Sequence, residues 1–357
     1  MTATPLPPDA RVLIVRTGAL GDIVHALPVL AAIGAARPDV AVDWLVDARY
    51  AAVLALVAEL RERIVVRASA DAAGDGERRF AGTVGMAAAA RYLRTRGYAA
   101  ALDLQGLIKS ALFARASGAR RVIGFTTAQL REPQAAWAYR ETVAGPPDGH
   151  VVQKNLAVLA VLALAVPARP VFPWRNDPSP VADAVAAQPA IAAAGGFAVL
   201  NPGAAWPNKR WPAERFGQLA ARLGDELGLP SVITWGGAER PLAEGVAAHA
   251  GGHATVSPPT SLNDLLALAR RARLVVSGDT GPLHLAASVG APLVGLFGPT
   301  RPERNGPWDP ADEAVSRAAT CECFHKRQCV RGQACVDEIT VDEVLKACRR
   351  RLTRARA

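Results

Sequence analysis

RVLIVRTGALGDIVHALP, Arg11 to Pro28, opens on a short apolar run rich in branched residues. It breaks at two glycines and resumes with apolar residues at helical spacing. A strand that is apolar at nearly every position is buried on both faces, as in a parallel sheet covered by helices. VVSGDTGPLHLAASVGAP, Val275 to Pro292, repeats the scheme, with Pro282 in the first helical turn, where its missing N–H costs nothing. Each stretch places polar groups at one strand-to-helix corner. Such corners carry the ligands of open α/β sheets, and with two domains the expected site is the cleft between them.

Around these two corners the pattern alternates. VAVDWLV, YAAALDL and RRVIGF read as strands in the first half, and FAVLNPG, PSVITWG and PLVGLFGPT in the second, with helical stretches between. Alternation of this kind means βαβ units and a parallel sheet with right-handed crossovers. The 357 residues are enough for two cores. The fold class is therefore α/β, two doubly wound, Rossmann-like parallel-sheet domains. The expected bounds are 1–170, a linker at 171–190 and a second domain at 191–340, with a terminal helix at 341–357. The linker reading rests on VPARPVFPWRNDPSP, Val166 to Pro180, whose five prolines resist helix and strand interiors. RYAAVLALVAEL reads as a helix and ASADAAGDGERRF as a loop. LAVLAVLALAV, Leu156 to Val166, reads as one buried helix, too short for the roughly 20 residues of a membrane span. MTATPLPPDAR lacks the pattern of a signal peptide, so a cytoplasmic location is expected.

The net charge of +9 points to an acidic partner (nucleic acid, anionic lipid or a phosphorylated small molecule) or to a solubilising surface. The basic excess peaks in KACRRRLTRARA, which suits either an anionic membrane surface or a solvated tail. No recognition helix or aromatic–basic interleaving supports nucleic acid. Four of five cysteines, Cys321, Cys323, Cys329 and Cys335, follow the spacing C-x-C-x5-C-x5-C, which is not that of a zinc ribbon. Metal, a disulfide and plain packing remain open for them, and no metal or cofactor is assigned to the site.

At the second corner, the free amides of Gly281, Leu283 and His284 at a positive helix end form a ready anion site, with Thr280 adding a hydroxyl. His284 could donate to a phosphate, and Asp279 should face sugar hydroxyls. Capping explains Asp279 and Thr280 equally well. NPGAAWPNKRWP, Asn201 to Pro212, brings Lys209, which can neutralise a diphosphate. In WGGAER, Glu239 could accept from ribose hydroxyls or serve as a helix N-terminal acid. In the first domain TGALGD is not G-x-G-x-x-G, and Asp22 sits where a pyrophosphate would lie. Asp22 could act as a general base or as a cap. Thr17 and Gly18 at that corner, and Gln105 and Lys109 in DLQGLIKSA with Asp103, are candidates for an acceptor. A nicotinamide-dependent oxidoreductase is the rival reading, resting on Asp47 as a ribose-binding acid.

Together, RVLIVRTGALGDIVHALPVL, DLQGLIKSA, NPGAAWPNKRWP, SGDTGPLHLAASVGAPLVGLFGPT, the cysteine run and ITVDEV resemble glycosyltransferase family 9. This is the family of ADP-heptose:lipopolysaccharide heptosyltransferases, and the likeness is to its heptosyltransferase I branch. The resemblance implies a GT-B fold, an acceptor-binding first domain, a nucleotide-sugar-binding second domain, and a last helix folded back on the first. It implies inverting, metal-independent transfer of heptose to a Kdo sugar of the lipid A inner core, by a cytoplasmic protein peripheral to the inner membrane. Carried over, Asp22 is the base, Lys209 with the Thr280 and Gly281 amides holds the diphosphate, and Glu239 holds the ribose. Asp279 contacts heptose and His284 lies by the phosphates. Ala204 and Ala205 depart from members with hydroxyls there, so a phosphate contact at those positions must be through backbone.

Overall fold

The computed structural model describes residues 3–68, 77–323, 326–329 and 331–354. The chain divides into two compact units, with the boundary between Asn176 and Asp177. The first holds seven parallel strands: β1 (Arg11–Val15), β2 (Ala41–Asp47), β3 (Glu62–Ala68), β4 (Glu77–Ala81), β5 (Ala100–Asp103), β6 (Arg121–Phe125) and β7 (Glu141–Val143). Their order is β4-β3-β2-β1-β5-β6-β7, with Val15 opposite Asp103 in the pairing of β1 and β5. Val12, Leu13, Ile14 and Val15 are wholly buried, as a strand covered on both faces requires. The order reverses beside β1, so the corners after β1 and β5 flank the topological switch point, where ligands bind in such sheets.

The second unit holds β8 (Ala198–Asn201), β9 (Ser231–Ile233), β10 (Ala254–Val256), β11 (Leu274–Gly278), β12 (Leu293–Phe297) and β13 (Glu313–Ser316), also all parallel. Their order is β10-β9-β8-β11-β12-β13, which puts the switch point between β8 and β11, where Ser277 pairs with Asn201. Leu200, Leu274, Val276, Val294 and Leu296 fill one face of this sheet together with Trp211 and Phe216. Each such side chain contributes about 1.5–3 kcal/mol on burial.

The structure corrects several expectations. The stretch RYAAVLALVAEL is helical only over Ala51–Leu54, after a 3-10 turn at Ala48–Tyr50. Beyond it the backbone turns to the incoming linker: Val57 bridges Trp174, Ala58 N–H donates to the Pro173 carbonyl, and Arg175 N–H to that of Leu56. The proline-rich segment is thereby fixed to the first unit as far as Arg175. Helices Pro180–Ala186 and Pro189–Ala194 then belong to the second unit rather than to a linker, with Ser179 capping the first and donating to Asp264 at 2.6 Å. Glu77 to Phe80, expected in a loop, lie in the edge strand β4, because pairing with β3 overrides their polar composition. Residues 69–76 of that loop expectation lie outside the described residues. Leu156–Val166 is not one helix: helices Val151–Leu156 and Val158–Val161 are separated at Ala157, and Ala163 turns left-handed.

The terminal helix begins where periodicity placed it and runs over Val341–Arg354, within the second unit; residues 355–357 of the expected helix lie outside the described residues. Val344, Leu345, Ala347 and Cys348 join the core of the second, because its apolar stripe fits against β12, β13 and helix Ala213–Leu227. Its arginines are not a free basic face either. Arg349 pairs with Glu226, Arg350 and Arg354 with Glu313, and buried Arg351 with Asp312 at 2.6 Å. A capping box begins the helix, with Glu343 accepting from the Thr340 N–H at 2.8 Å and from Arg317. These donors hold the Glu343 carboxyl at about 2, below its usual 4.5. A group held below its unfolded value stabilises above that value and loses its effect as pH falls toward the folded one. Glu343→Gln is therefore expected to lower stability by about 0.5–1 kcal/mol at pH 7, discounted for partial exposure, and by nothing near pH 2. Urea unfolding of both proteins across that range checks this; a constant difference would refute it.

Candidate active site

The first unit's corner is built on Arg16 and Asp22. Arg16 directly follows β1 and is almost fully buried, its guanidinium bonded to the Leu104 carbonyl. From there it reaches Asp22 Oδ1 at 2.7 Å, while Oδ2 accepts the Ala19 N–H at 3.1 Å. Asp22 lies in the short helix Leu20–Val24, and its side chain is 45% exposed. The carboxylate is thus aimed from within and open from without, as a proton acceptor needs to be. Gly18 makes the corner possible: its φ is +156°, and a Cβ there would meet the Tyr50 ring at 2.4 Å.

Thr17 joins the corners after β1 and β5. Its N–H and its hydroxyl both donate to Gln105 Oε1 at 2.7 Å. Asp103 is not a surface residue. Wholly buried, it accepts from Gln105 and Gly106 N–H, from the Ser110 hydroxyl and from the Tyr139 phenol, and burial still pushes its carboxyl upward. It serves as the hub that shapes the loop. Lys109, half-buried, has its ammonium disfavoured by burial and by nearby Arg67. Asp47, the acid of the oxidoreductase reading, is buried under Arg49 at 2.9 Å and Arg67 at 2.6 Å. A ribose would have to displace both.

In the second unit the expected residues meet on one carboxylate. Asp279, buried, receives Lys209 Nζ on Oδ2 at 2.5 Å and His284 Nε2 on Oδ1 at 3.3 Å. Thr300 donates to Oδ2 at 2.6 Å and Asn305 to Oδ1 at 2.8 Å. Burial alone would raise this carboxyl; His284 and Lys209 outweigh it and hold the group far below the carboxylate range. The expectation that Asp279 simply faces sugar hydroxyls is incomplete, since its first task is to hold the cation. Lys209 also lies 4.7 Å from the centroid of the Trp206 ring, a cation–π contact. Thr280 takes the cap position of helix Gly281–Ser288, and its carbonyl accepts the His284 N–H at 3.4 Å; of the three amides expected to be free, those of Gly281 and Leu283 have no acceptor within the helix, and that of His284 is taken. Asn201 at the end of β8 donates to Ser277 and reaches Thr280 at 3.5 Å, tying the two loops at the switch point.

Glu239 sits at the start of helix Arg240–Ala248, 3.7 Å from Arg210, at the rim of the same loop. Arg210 in turn donates to the Ala204 carbonyl at 2.7 Å, which fixes the backbone of that loop. Gly278 allows the loops to approach, since a Cβ on it would stand 2.8 Å from the Lys209 carbonyl. Gly278→Ala is expected to push the Lys209 loop away and lower stability by about 1–3 kcal/mol in urea unfolding, with far-UV circular dichroism unchanged. Unaltered stability would show that this approach is not needed.

Sequence reasoning missed Arg16, Thr300 and Asn305. The last two lie in GPTRPERN after β12, a third strand-to-helix corner whose Gly-Pro-Thr was a usable signal. Among the described residues no group of His, Cys, Asp or Glu is arranged as a metal site. Nor is any helix long and apolar enough to cross a membrane.

Two parallel-sheet, Rossmann-like units, each with polar groups gathered at its switch point, define the GT-B class of glycosyltransferases. Residues 86–334 match the family described as glycosyltransferase family 9 (heptosyltransferase). The chain is similar to lipopolysaccharide heptosyltransferase 1 of Pseudomonas aeruginosa, with 30% identity over 89% of this chain and 87% of that one. It is 29% identical to lipopolysaccharide heptosyltransferase 1 of Escherichia coli K12, over 82% of this chain and 89% of that one. Among solved structures, E. coli heptosyltransferase WaaC with ADP-2-deoxy-2-fluoro heptose superposes with a TM-score of 0.70 at 25% identity, covering 95% of this chain and 99% of that one. The chain belongs to glycosyltransferase family 9 and is a glycosyltransferase.

Proposed function

We propose that the protein transfers heptose from ADP-L-glycero-D-manno-heptose to a Kdo residue of the lipid A inner core, with inversion, in lipopolysaccharide biosynthesis. The observation that carries the reading is the Asp279-centred network, which holds the Lys209 ammonium on the residue that leads into helix Gly281–Ser288. A nucleoside diphosphate leaving group is an anion, and a lysine with oriented amides stabilises it without a metal. Lys209, Thr280, Gly281 and His284 bind the diphosphate, Glu239 the ribose, and Asp279 orients Lys209 and meets the sugar. On the acceptor side, Asp22 takes the proton of the attacking hydroxyl while Arg16 keeps the carboxylate aimed. The new C–O bond forms as the bond to the diphosphate breaks on the opposite face, so the anomeric configuration inverts. Thr17, Gly18, Gln105 and Lys109 position the acceptor.

A lipid-linked acceptor places the enzyme at an anionic membrane surface from the cytoplasmic side. Ile108, Leu112 and Trp137 support this: they are exposed on two packed segments of the first unit, beside Lys109. Relatives named heptosyltransferase 1 supply the sugar. A thermal-shift panel of ADP-heptose, ADP, UDP, GDP and NADH tests the donor, since a ligand of the native state alone stabilises it in proportion to its binding. Stabilisation by ADP-heptose and ADP is expected. UDP or GDP prevailing would change the donor, and NADH alone would overturn the reading.

A further inference from the structure

Four of the five cysteines converge behind the Lys209 loop, and all are free thiols. Cys323 Sγ lies 3.5 Å from Cys321 Sγ and 3.3 Å from Cys329 Sγ. Cys323 and Cys335 are buried; Cys321 and Cys329 are partly exposed. Burial, with the Cys321 thiol beside it, pushes the Cys335 thiol up to about 12, so it stays protonated and inert. A partly exposed thiol next to a buried partner is the arrangement in which one sulfur is attacked and the other resolves.

This cluster is wired to the donor loop. The Lys326 carbonyl, between Cys323 and Cys329 in sequence, accepts from Asn208 Nδ2 at 2.9 Å. Asn208 immediately precedes Lys209. The Arg327 guanidinium lies 6.0 Å from the centroid of the Trp206 ring that also carries the Lys209 ammonium. Around Gly298 the Asn208 carbonyl and Cys335 Sγ crowd the same spot, each within 3.4 Å of where a Cβ would stand.

We propose that Cys323 and Cys329 are a redox-modifiable pair whose disulfide braces the Lys209 loop. The co-reactant is a low-molecular-weight disulfide. The Cys329 thiolate attacks one of its sulfurs, forming a mixed disulfide and releasing one thiol. Cys323 then gives up its proton and attacks Cys329 Sγ, expelling the second thiol. The protein loses two electrons and two protons and the reagent gains them. Cys321 is the poorer partner, since a disulfide between residues two apart closes a ring too tight for relaxed geometry. The closed pair holds Lys326 and Arg327, and through them Asn208 and Trp206, in a single arrangement.

The test uses the full chain treated with oxidised glutathione, with free thiols alkylated and disulfides mapped by peptide mass spectrometry. A Cys323–Cys329 disulfide is expected, together with slower amide exchange over Trp206 to Arg210. Cys329→Ser should abolish both while leaving the reduced protein's exchange pattern intact. A different pairing, no disulfide, or thiols blocked by a co-purifying metal would overturn the site. A correct disulfide with unchanged exchange at 206–210 would overturn the brace. The effect on ADP affinity, about fivefold or more between the two states, rests on the donor reading of Lys209. If ADP binds neither state, that reading fails, while mapping and exchange still decide the proposal.

Discussion

Asp22→Asn is expected to leave a folded protein that binds ADP normally and transfers sugar about 10²–10⁴-fold more slowly. The substitution keeps the shape of the side chain and its bond from the Ala19 N–H, so the short helix Leu20–Val24 has little reason to move. What it removes is the negative charge facing Arg16 and the capacity to take a proton. The direction of the loss separates a base from a cap. A cap contributes to folding, about 1 kcal/mol, and its removal would lower stability and turnover together. A base contributes only at the transition state, so kcat falls while the dissociation constant of ADP stays put. Calorimetric titration with ADP beside initial-rate kinetics distinguishes the two. A parallel loss of ADP binding and turnover would end the assignment. Arg16→Met is the informative companion, because it frees the carboxylate without neutralising it, and an intermediate loss of kcat is expected.

The largest stability effect is expected at Asp279. Asp279→Ala strands Lys209 and His284 without their shared carboxylate in a site where Asp279 itself is 4% exposed. Removing one partner of a buried charge pair costs about 3–5 kcal/mol, because the other charge remains unsolvated. Lys209→Met with Asp279→Ala should recover part of that loss, since both charges are then gone. The same double variant should remain unable to hold ADP. Urea denaturation of the three variants reads the first effect and thermal shift with ADP the second. Single and double variants of equal stability would mean that the pair is not coupled, and Lys209 would then need another anchor.

The corners after β1, β8 and β11 were legible because the chemistry is local: apolar strand, glycine turn, polar group and helix follow one another within a few residues. Thr300 and Asn305 were not, because their role comes from a different strand, β12, reaching the same carboxylate. Arg16 was hidden for a related reason. It reads as the last residue of an apolar strand, and only its burial beside Leu104 shows that its charge is directed at Asp22. Asp103 and Asp47 were legible as acids but not as structural ones, since Tyr139 and Arg67, which complete their sets of donors, lie on other segments.

Local pattern was sufficient for the α/β class, the parallel strands, the bounds of the last helix and the positions of the glycine corners, all of which depend on neighbours in sequence. Tertiary structure decided where that last helix packs, which arginines are neutralised, where the chain passes from one unit to the other and which four donors share Asp279. Each of these is settled by whichever distant surface offers the better burial or the opposite charge. Periodicity carries no record of that surface. It says that Val344, Leu345 and Cys348 share a face, and the core of the second unit is what covers it.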